Sequence, residues 1–160
     1  MINTDKTFCT YENIYYEMWE IAGRYTEIAQ FQVIGKSHDD RMIPMVQIGK
    51  GAETVFCIAG LSGRDRCMPI YLMHMLKEYV KAWECRWKLE NLYDLRALLE
   101  DWKICFIPLL NPDGYEIYEK DFYAIRNPIY RQMLRMQEIP CKEFICNSRG
   151  INLRKNFPTQ

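Results

Sequence analysis

Residues 11–27 place Tyr11, Ile14, Tyr15, Met18, Ala22 and Tyr25 at the three- and four-residue spacing of one helix face. Thr10 stands just before them as an N-cap. The pattern predicts an amphipathic helix that covers one face of another element. Residues 30–34 alternate polar and apolar side chains before Gly35 and predict a first strand, and residues 42–48 predict a second. Between them, His38-Asp39-Asp40-Arg41 reads as a turn whose short carboxylates bond local backbone amides. Pro44 has no N–H to give a ladder, which places the second strand near a sheet edge. Residues 54–59 are continuously apolar, the pattern of a strand buried on both faces in the middle of a parallel sheet.

Gly60-Leu61-Ser62-Gly63 then turns the chain into a helix over residues 68–83, apolar nearly all round and therefore expected to be largely buried. Residues 92–99 predict a short helix and residues 104–110 a second buried strand. Asn111-Pro112-Asp113-Gly114 is a strong turn signal. Residues 127–137 read as a basic helix stopped before Pro140, and residues 147–157 as a turn followed by a short strand or extended segment. Strand, helix and strand in this order predict an α/β domain with helices on both faces of the sheet. Its active loops are expected at the C-terminal ends of the strands. No internal repeat, low-complexity segment or linker divides the chain.

Composition narrows the function classes. Of 160 residues, 49% are hydrophobic and 26% charged, which excludes a disordered or collagen-like chain. Lys+Arg and Asp+Glu balance at 21 each, so the basic excess of a nucleic-acid binder is missing. The first six residues lack the layout of a secretory signal, and no apolar run approaches the roughly 20 residues of a bilayer span. These features predict a cytoplasmic protein with neither a nucleic-acid nor a membrane partner. The seven cysteines, an odd number, read as reduced thiols, with Cys57 and Cys105 as small core hydrophobes. Cys141 and Cys146 lack the second pair that a zinc knuckle needs. His74 reads as a packed helix residue and His38 as solvated. Tyr15, Trp19, Tyr71, Tyr79 and Trp83 read as core.

Three segments carry chemistry when taken together. A hairpin through Ile34-Gly35-Lys36-Ser37 and Ile48-Gly49-Lys50-Gly51 leads into the apolar strand and the loop Ser62-Gly63-Arg64-Asp65. Pro108-Leu109-Leu110-Asn111-Pro112-Asp113-Gly114-Tyr115 is the second, and Asn147-Ser148-Arg149-Gly150-Ile151-Asn152-Leu153-Arg154-Lys155-Asn156-Phe157-Pro158 the third. In this order and spacing they resemble the zinc carboxypeptidases, the carboxypeptidase A/B-like metallopeptidases. The bacterial branch of γ-D-glutamyl-diamino-acid peptidases is the nearest likeness. The resemblance implies that residues 1–160 form a single truncated domain, the N-terminal part of a carboxypeptidase-like mixed β-sheet flanked by helices.

It also implies zinc-dependent peptide hydrolysis, in which three protein ligands hold a zinc that activates water. Two ligands come from a His-x-Arg-Glu loop, where this chain reads Ser62-Gly63-Arg64-Asp65. Ser62 occupies the histidine position and is a poor zinc ligand. Asp65 keeps a carboxylate, one methylene shorter, which reads either as a residual metal ligand or as a carboxylate at the N-terminus of the following helix, and Arg64 keeps a substrate-binding role. Arg149 matches the arginine that stabilises the oxyanion. Arg154 and Lys155 fill the Asn-Arg pair that grips a terminal carboxylate, though Lys155 loses the guanidinium fork. Asn152 replaces an aspartate in a supporting position. The family's third ligand, general base and capping tyrosine are expected beyond residue 160. His74 cannot substitute, since it lies well along the following helix.

The resemblance thus implies a member without catalysis or an incomplete one, binding no zinc, that keeps a surface for a peptide with a free carboxylate. Residues 120–160 hold eight Lys/Arg against three Asp/Glu, which reads either as a solvated face or as an anion-binding lip of Arg149, Arg154 and Lys155. Two alternatives stand beside this reading. One is an active metallocarboxypeptidase or γ-glutamyl peptidase completed by a partner chain or a second copy. The other is a non-enzymatic module whose exposed sheet edge recruits a strand.

Overall fold

Thr10 opens the first helix, its hydroxyl oxygen accepting the Asn13 N–H at 3.2 Å. The computed structural model describes residues 10–89 and 93–158, with the backbone alone at Leu89 and Tyr93. Helix α1 spans Tyr11–Arg24, with Tyr11, Ile14, Met18 and Ala22 buried as their spacing requires. Strands β1 (Ala29–Lys36), β2 (Met42–Ile48) and β3 (Glu53–Ile58) follow, then α2 (Cys67–Cys85). A small hairpin of β4 (Lys88–Leu89) and β5 (Tyr93–Asp94) leads to α3 (Leu95–Asp101) and β6 (Trp102–Ile107). Helices α4 (Pro112–Lys120) and α5 (Pro128–Arg135) complete the regular elements, with 3-10 turns at Phe122–Ala124, Cys141–Glu143 and Leu153–Lys155. The expected helix start at Leu92, the thiol of Cys9 and the first six residues lie outside the described residues.

The sheet runs β1-β2-β6-β3. The pairs β1/β2 and β2/β6 are antiparallel, and β3/β6 is parallel, so the sheet is mixed as expected. Side chains alternate across it. Val46, Ile48, Ile104 and Phe106 face one way and pack with Ile14 and Met18 of α1, Leu72, Leu76 and Val80 of α2, and Leu95 and Leu99 of α3. On the opposite face Met45, Cys105 and Ile107 form a small cluster with Ile43 and Leu110. That second cluster includes no residue of the described helices, and the architecture is the expected mixed sheet flanked by helices.

Two strand positions are the reverse of expectation. β3 is an edge strand, paired only with β6 among the described strands, and Phe56 is 59% and Ile58 47% exposed. Continuous apolar sequence permits burial on both faces but does not supply the elements that bury it. β2 lies inside the sheet despite Pro44, because its ladder with β6 covers only Val46–Ile48 and leaves the proline beyond it. A register shift between Val33 and Gly35 adjusts β1 opposite the same proline.

The helices differ in smaller ways. α2 buries Leu72, Met73, Leu76 and Val80 but exposes Met68, Ile70, Tyr71 and His74, so it is half covered and its histidine is solvated. Trp19 is likewise exposed, while Tyr15, Tyr79 and Trp83 pack against the core. The turn at Asn111 is also a helix start: Asn111 Oδ1 accepts the Gly114 N–H at 3.0 Å and Pro112 takes the first turn of α4. Residues 147–157 form a turn and a 3-10 turn, with no strand.

α1 is fastened to β2 by the buried Tyr11 phenol, which donates to the Met42 carbonyl at 2.9 Å. Burial, aided by nearby Tyr15, pushes this phenol from the usual 10.0 up to about 12. The folded chain therefore favours the neutral phenol. Its contribution is whole below about pH 10 and is lost as pH rises through about 12. Replacing Tyr11 with Phe is expected to cost about 1 kcal/mol at neutral pH. It should also flatten the alkaline fall in stability, read from urea midpoints across that window. An undiminished fall in the variant would contradict this assignment.

Candidate functional site

Strands β3 and β6 run parallel, so the loops that leave their C-terminal ends emerge side by side. Asn111, at the end of β6, ties those loops together. Its Nδ2 donates to Leu61 O at 3.1 Å in the β3 loop and to Cys146 O at 3.2 Å, immediately before the third segment. The contact is close enough to require glycine. A Cβ on Gly63 would lie 2.5 Å from Gly114 O, and one on Gly114 would lie 2.5 Å from Cys146 O. The three segments singled out in the sequence thus meet at one end of the sheet.

A buried ionic network lies behind them. Arg41 Nη1 contacts Asp39 Oδ2 at 2.5 Å and Asp113 Oδ1 at 3.1 Å, while its Nη2 donates to Ala124 O at 2.5 Å. Asp113 also accepts the Ser37 hydroxyl at 2.6 Å and the Ser148 hydroxyl at 2.8 Å. Asp39 accepts the backbone N–H groups of Arg126 and Asn127, both at 2.9 Å to its Oδ1. Two carboxylates share one guanidinium, and the remaining negative charge is met by hydroxyls and amides, which makes burial tolerable. Every buried side-chain polar atom among the described residues has a partner. The turn pattern predicts local amides as partners of the Asp39 carboxylate, whereas Asp39 reaches across the chain to residues 126 and 127. Asp40 takes the left-handed backbone, at φ 60°, that lets the turn close.

The predicted site residues sit on these loops. Ser62 is buried, and its hydroxyl oxygen accepts the Arg64 N–H at 3.4 Å. Asp65 turns inward: Oδ2 accepts the Gly60 N–H at 3.2 Å and Oδ1 the Met68 N–H at 3.3 Å. Both its oxygens hold the β3–α2 turn and the first turn of α2. The side chains of Arg64, Arg149, Arg154 and Lys155 are exposed, and no carboxylate among the described residues pairs with them. The Arg149 guanidinium lies 5.9 Å from the Tyr130 ring centre, and Asn152 Oδ1 caps the 3-10 turn by accepting the Arg154 N–H at 3.1 Å. Arg66, which the sequence reading did not single out, stacks 3.5 Å over Tyr115 and pairs with Glu119 at 2.9 Å.

The donor set does not fit a tetrahedral zinc. Ser62 is a neutral hydroxyl, Asp65 is engaged on both oxygens, and no group of three His, Cys, Asp or Glu side chains suited to a metal occurs among the described residues. The six described cysteines are free thiols, and burial raises Cys57, Cys105 and Cys146 above the usual range.

A family profile described as zinc carboxypeptidase matches residues 14–160. Metallocarboxypeptidase A of Trichophyton rubrum is 24% identical over 164 residues, covering 99% of this chain and 35% of the relative. The protein of the same name from Arthroderma otae is 22% identical with the same coverage. The chain therefore spans about a third of the length of these relatives. Among solved structures, bovine thrombin-activatable fibrinolysis inhibitor, in complex with tick carboxypeptidase inhibitor, superposes with a TM-score of 0.62 at 15% identity. That match covers 89% of this chain and 38% of the other. A metallo-carboxypeptidase from Burkholderia cenocepacia gives 0.59 at 14% identity, covering 89% and 31%. These likenesses establish the fold.

Replacing Arg41 with Met strands two buried carboxylates and is expected to cost about 3–5 kcal/mol. Replacing Ser148 with Ala removes one donor from Asp113 and should cost about 1–2 kcal/mol. Urea unfolding measures both. A smaller loss for the arginine than for the serine would contradict the central place given to Arg41.

Proposed function

The chain belongs to the zinc carboxypeptidase family, and from that premise we propose that it binds the carboxylate end of a peptide without hydrolysing it. One observation carries this reading. In the loop that holds zinc ligands in the family, Asp65 spends both oxygens on backbone N–H groups, while Arg64, Arg149, Arg154 and Lys155 stay unpaired with any described carboxylate. The loop has become a helix start, yet its positive rim persists. A guanidinium meets a carboxylate through two parallel hydrogen bonds, so Arg154 and Arg149 would fix the peptide end. Lys155 adds charge without a fork.

Under this reading the purified chain takes up no stoichiometric zinc after equilibration and dialysis. A peptide with a free C-terminal carboxylate should bind about tenfold more tightly than its C-terminal amide, and Arg154→Gln should erase most of that difference. A γ-D-glutamyl peptide in the same assay tests the bacterial-branch substrate class. Stoichiometric zinc, with release of the C-terminal residue abolished by Asp65→Ala, would overturn the reading.

The exposed edge of β3 supports a second reading, in which another chain or a second copy adds a strand there and completes a metallopeptidase. Val55, Phe56 and Ile58 are exposed along it, and the strand carries neither proline nor lysine to discourage pairing. Sizing chromatography should then show concentration-dependent association that Phe56→Lys abolishes. A monomer at all concentrations removes this reading.

A further inference from the structure

Helix α5 has two apolar faces, and only one is used. Leu134 points into a cluster with Ile117, Phe122, Ile125 and Phe144, and Tyr130 packs beside it. On the outward side Ile129, Met133 and the following Met136 recur at i, i+4 and i+7, and they are 72%, 42% and 76% exposed. Single exposed apolar residues need no explanation, but three in a stripe on one helix do.

Charge decides what could cover the stripe. Residues 122–137 contain Arg126, Arg131 and Arg135 and no Asp or Glu, and the exposed Asp121 and Glu138 stand at the two ends of this stretch. Arg131 is spent on the Ile125 carbonyl, at 2.8 and 2.6 Å. Arg126 and Arg135 are exposed; among the described residues Arg126 Nη1 reaches only the Asp40 carbonyl, at 3.4 Å, and Arg135 stacks 4.8 Å from the exposed Tyr123 ring. A second copy of the stripe would bring like charges together and is disfavoured. An anionic partner is favoured. An exposed apolar stripe bordered by arginine and tyrosine matches the depth profile of a bilayer interface, with apolar side chains below the headgroups, the phenol among them and the guanidiniums on the phosphates. That no described helix can cross a membrane does not bear on this, because lying on a bilayer and spanning it are different demands.

We propose that α5 docks the chain on an anionic membrane surface, with Ile129, Met133 and Met136 inserted and Arg126 and Arg135 on lipid phosphates. This stands apart from the carboxylate-binding reading and needs no catalytic competence. Co-flotation with vesicles tests it, comparing phosphatidylcholine alone with mixtures in which about a quarter of the lipid is phosphatidylserine. The chain should bind the anionic vesicles, and binding should fall as salt rises. Arg126→Gln and Arg135→Gln should each weaken it about fivefold. Ile129→Asn with Met136→Asn should abolish it while leaving the thermal midpoint and the carboxylate-peptide affinity unchanged, since both side chains are outside the core. Equal binding to neutral vesicles, or binding retained in the double variant, would overturn the proposal. So would indifference to both vesicles combined with binding to an acidic amphipathic peptide, which would assign the stripe to a protein partner.

Discussion

One buried guanidinium holds this structure in register. Arg41 sits in the turn between β1 and β2, where it pairs with Asp39 of the same turn, yet its other partners lie on two distant parts of the chain: Asp113 at the start of α4 and Ala124 in the 3-10 turn. Asp39 in turn pins the backbone before α5, and Asp113 holds Ser148 next to Arg149. Elements separated by more than eighty residues therefore depend on a charge arrangement that tolerates little error, because any unmatched member would be a buried charge. Apolar packing alone would not select this geometry, since it is non-directional.

The network also explains why the three loops meet where they do. Parallel β3 and β6 deliver two loops to the same end of the sheet, but the third segment has no strand to place it. It is held by the Ser148–Asp113 bond, by the Asn111 amide on Cys146 and by the close approach of Gly114. The exposed arginines on these loops are carried by a frame whose polar atoms are all satisfied. Positive charge at the rim and a buried network of two carboxylates on one guanidinium, its buried side-chain polar atoms all partnered among the described residues, are separate parts of one construction.

The sheet is covered unevenly. Helices α1, α2 and α3 pack on the Val46–Ile104 side, whereas the Met45–Ile107 side has only a small cluster and runs out to the exposed Phe56 and Ile58 of β3. The same imbalance recurs at α5, where one apolar face is packed and the other meets solvent. Both are places where apolar side chains stand without a partner among the described residues, and they differ in charge. β3 offers backbone groups and apolar side chains to another strand, while α5 offers arginine and methionine to an acidic surface.

The local structure was largely legible in the sequence. Thr10 as a cap, the Tyr11–Met18–Ala22 stripe, β2 and the extent of α2 all follow from short-range rules of hydrogen bonding and periodicity, whereas the likeness of the three motifs to one family rests on resemblance in their residues, order and spacing. The identities of Ser62 and Asp65, where the resemblance implies histidine and glutamate, were equally legible, since they are chemical identities. The start of α4 carried its signal in Asn111-Pro112 and was read only as a turn. Long-range placement was decided by tertiary structure. A continuous apolar run such as residues 54–59 reports tolerance for burial, and only the strand order made β3 an edge. Pro44 limits one hydrogen bond, and only the β2–β6 register made that limit harmless. Asp39 and Arg41 looked like turn residues because their partners at 113, 124, 126 and 127 are remote in sequence. A side chain's type states which interactions it needs, and the folded chain alone decides which distant group meets them.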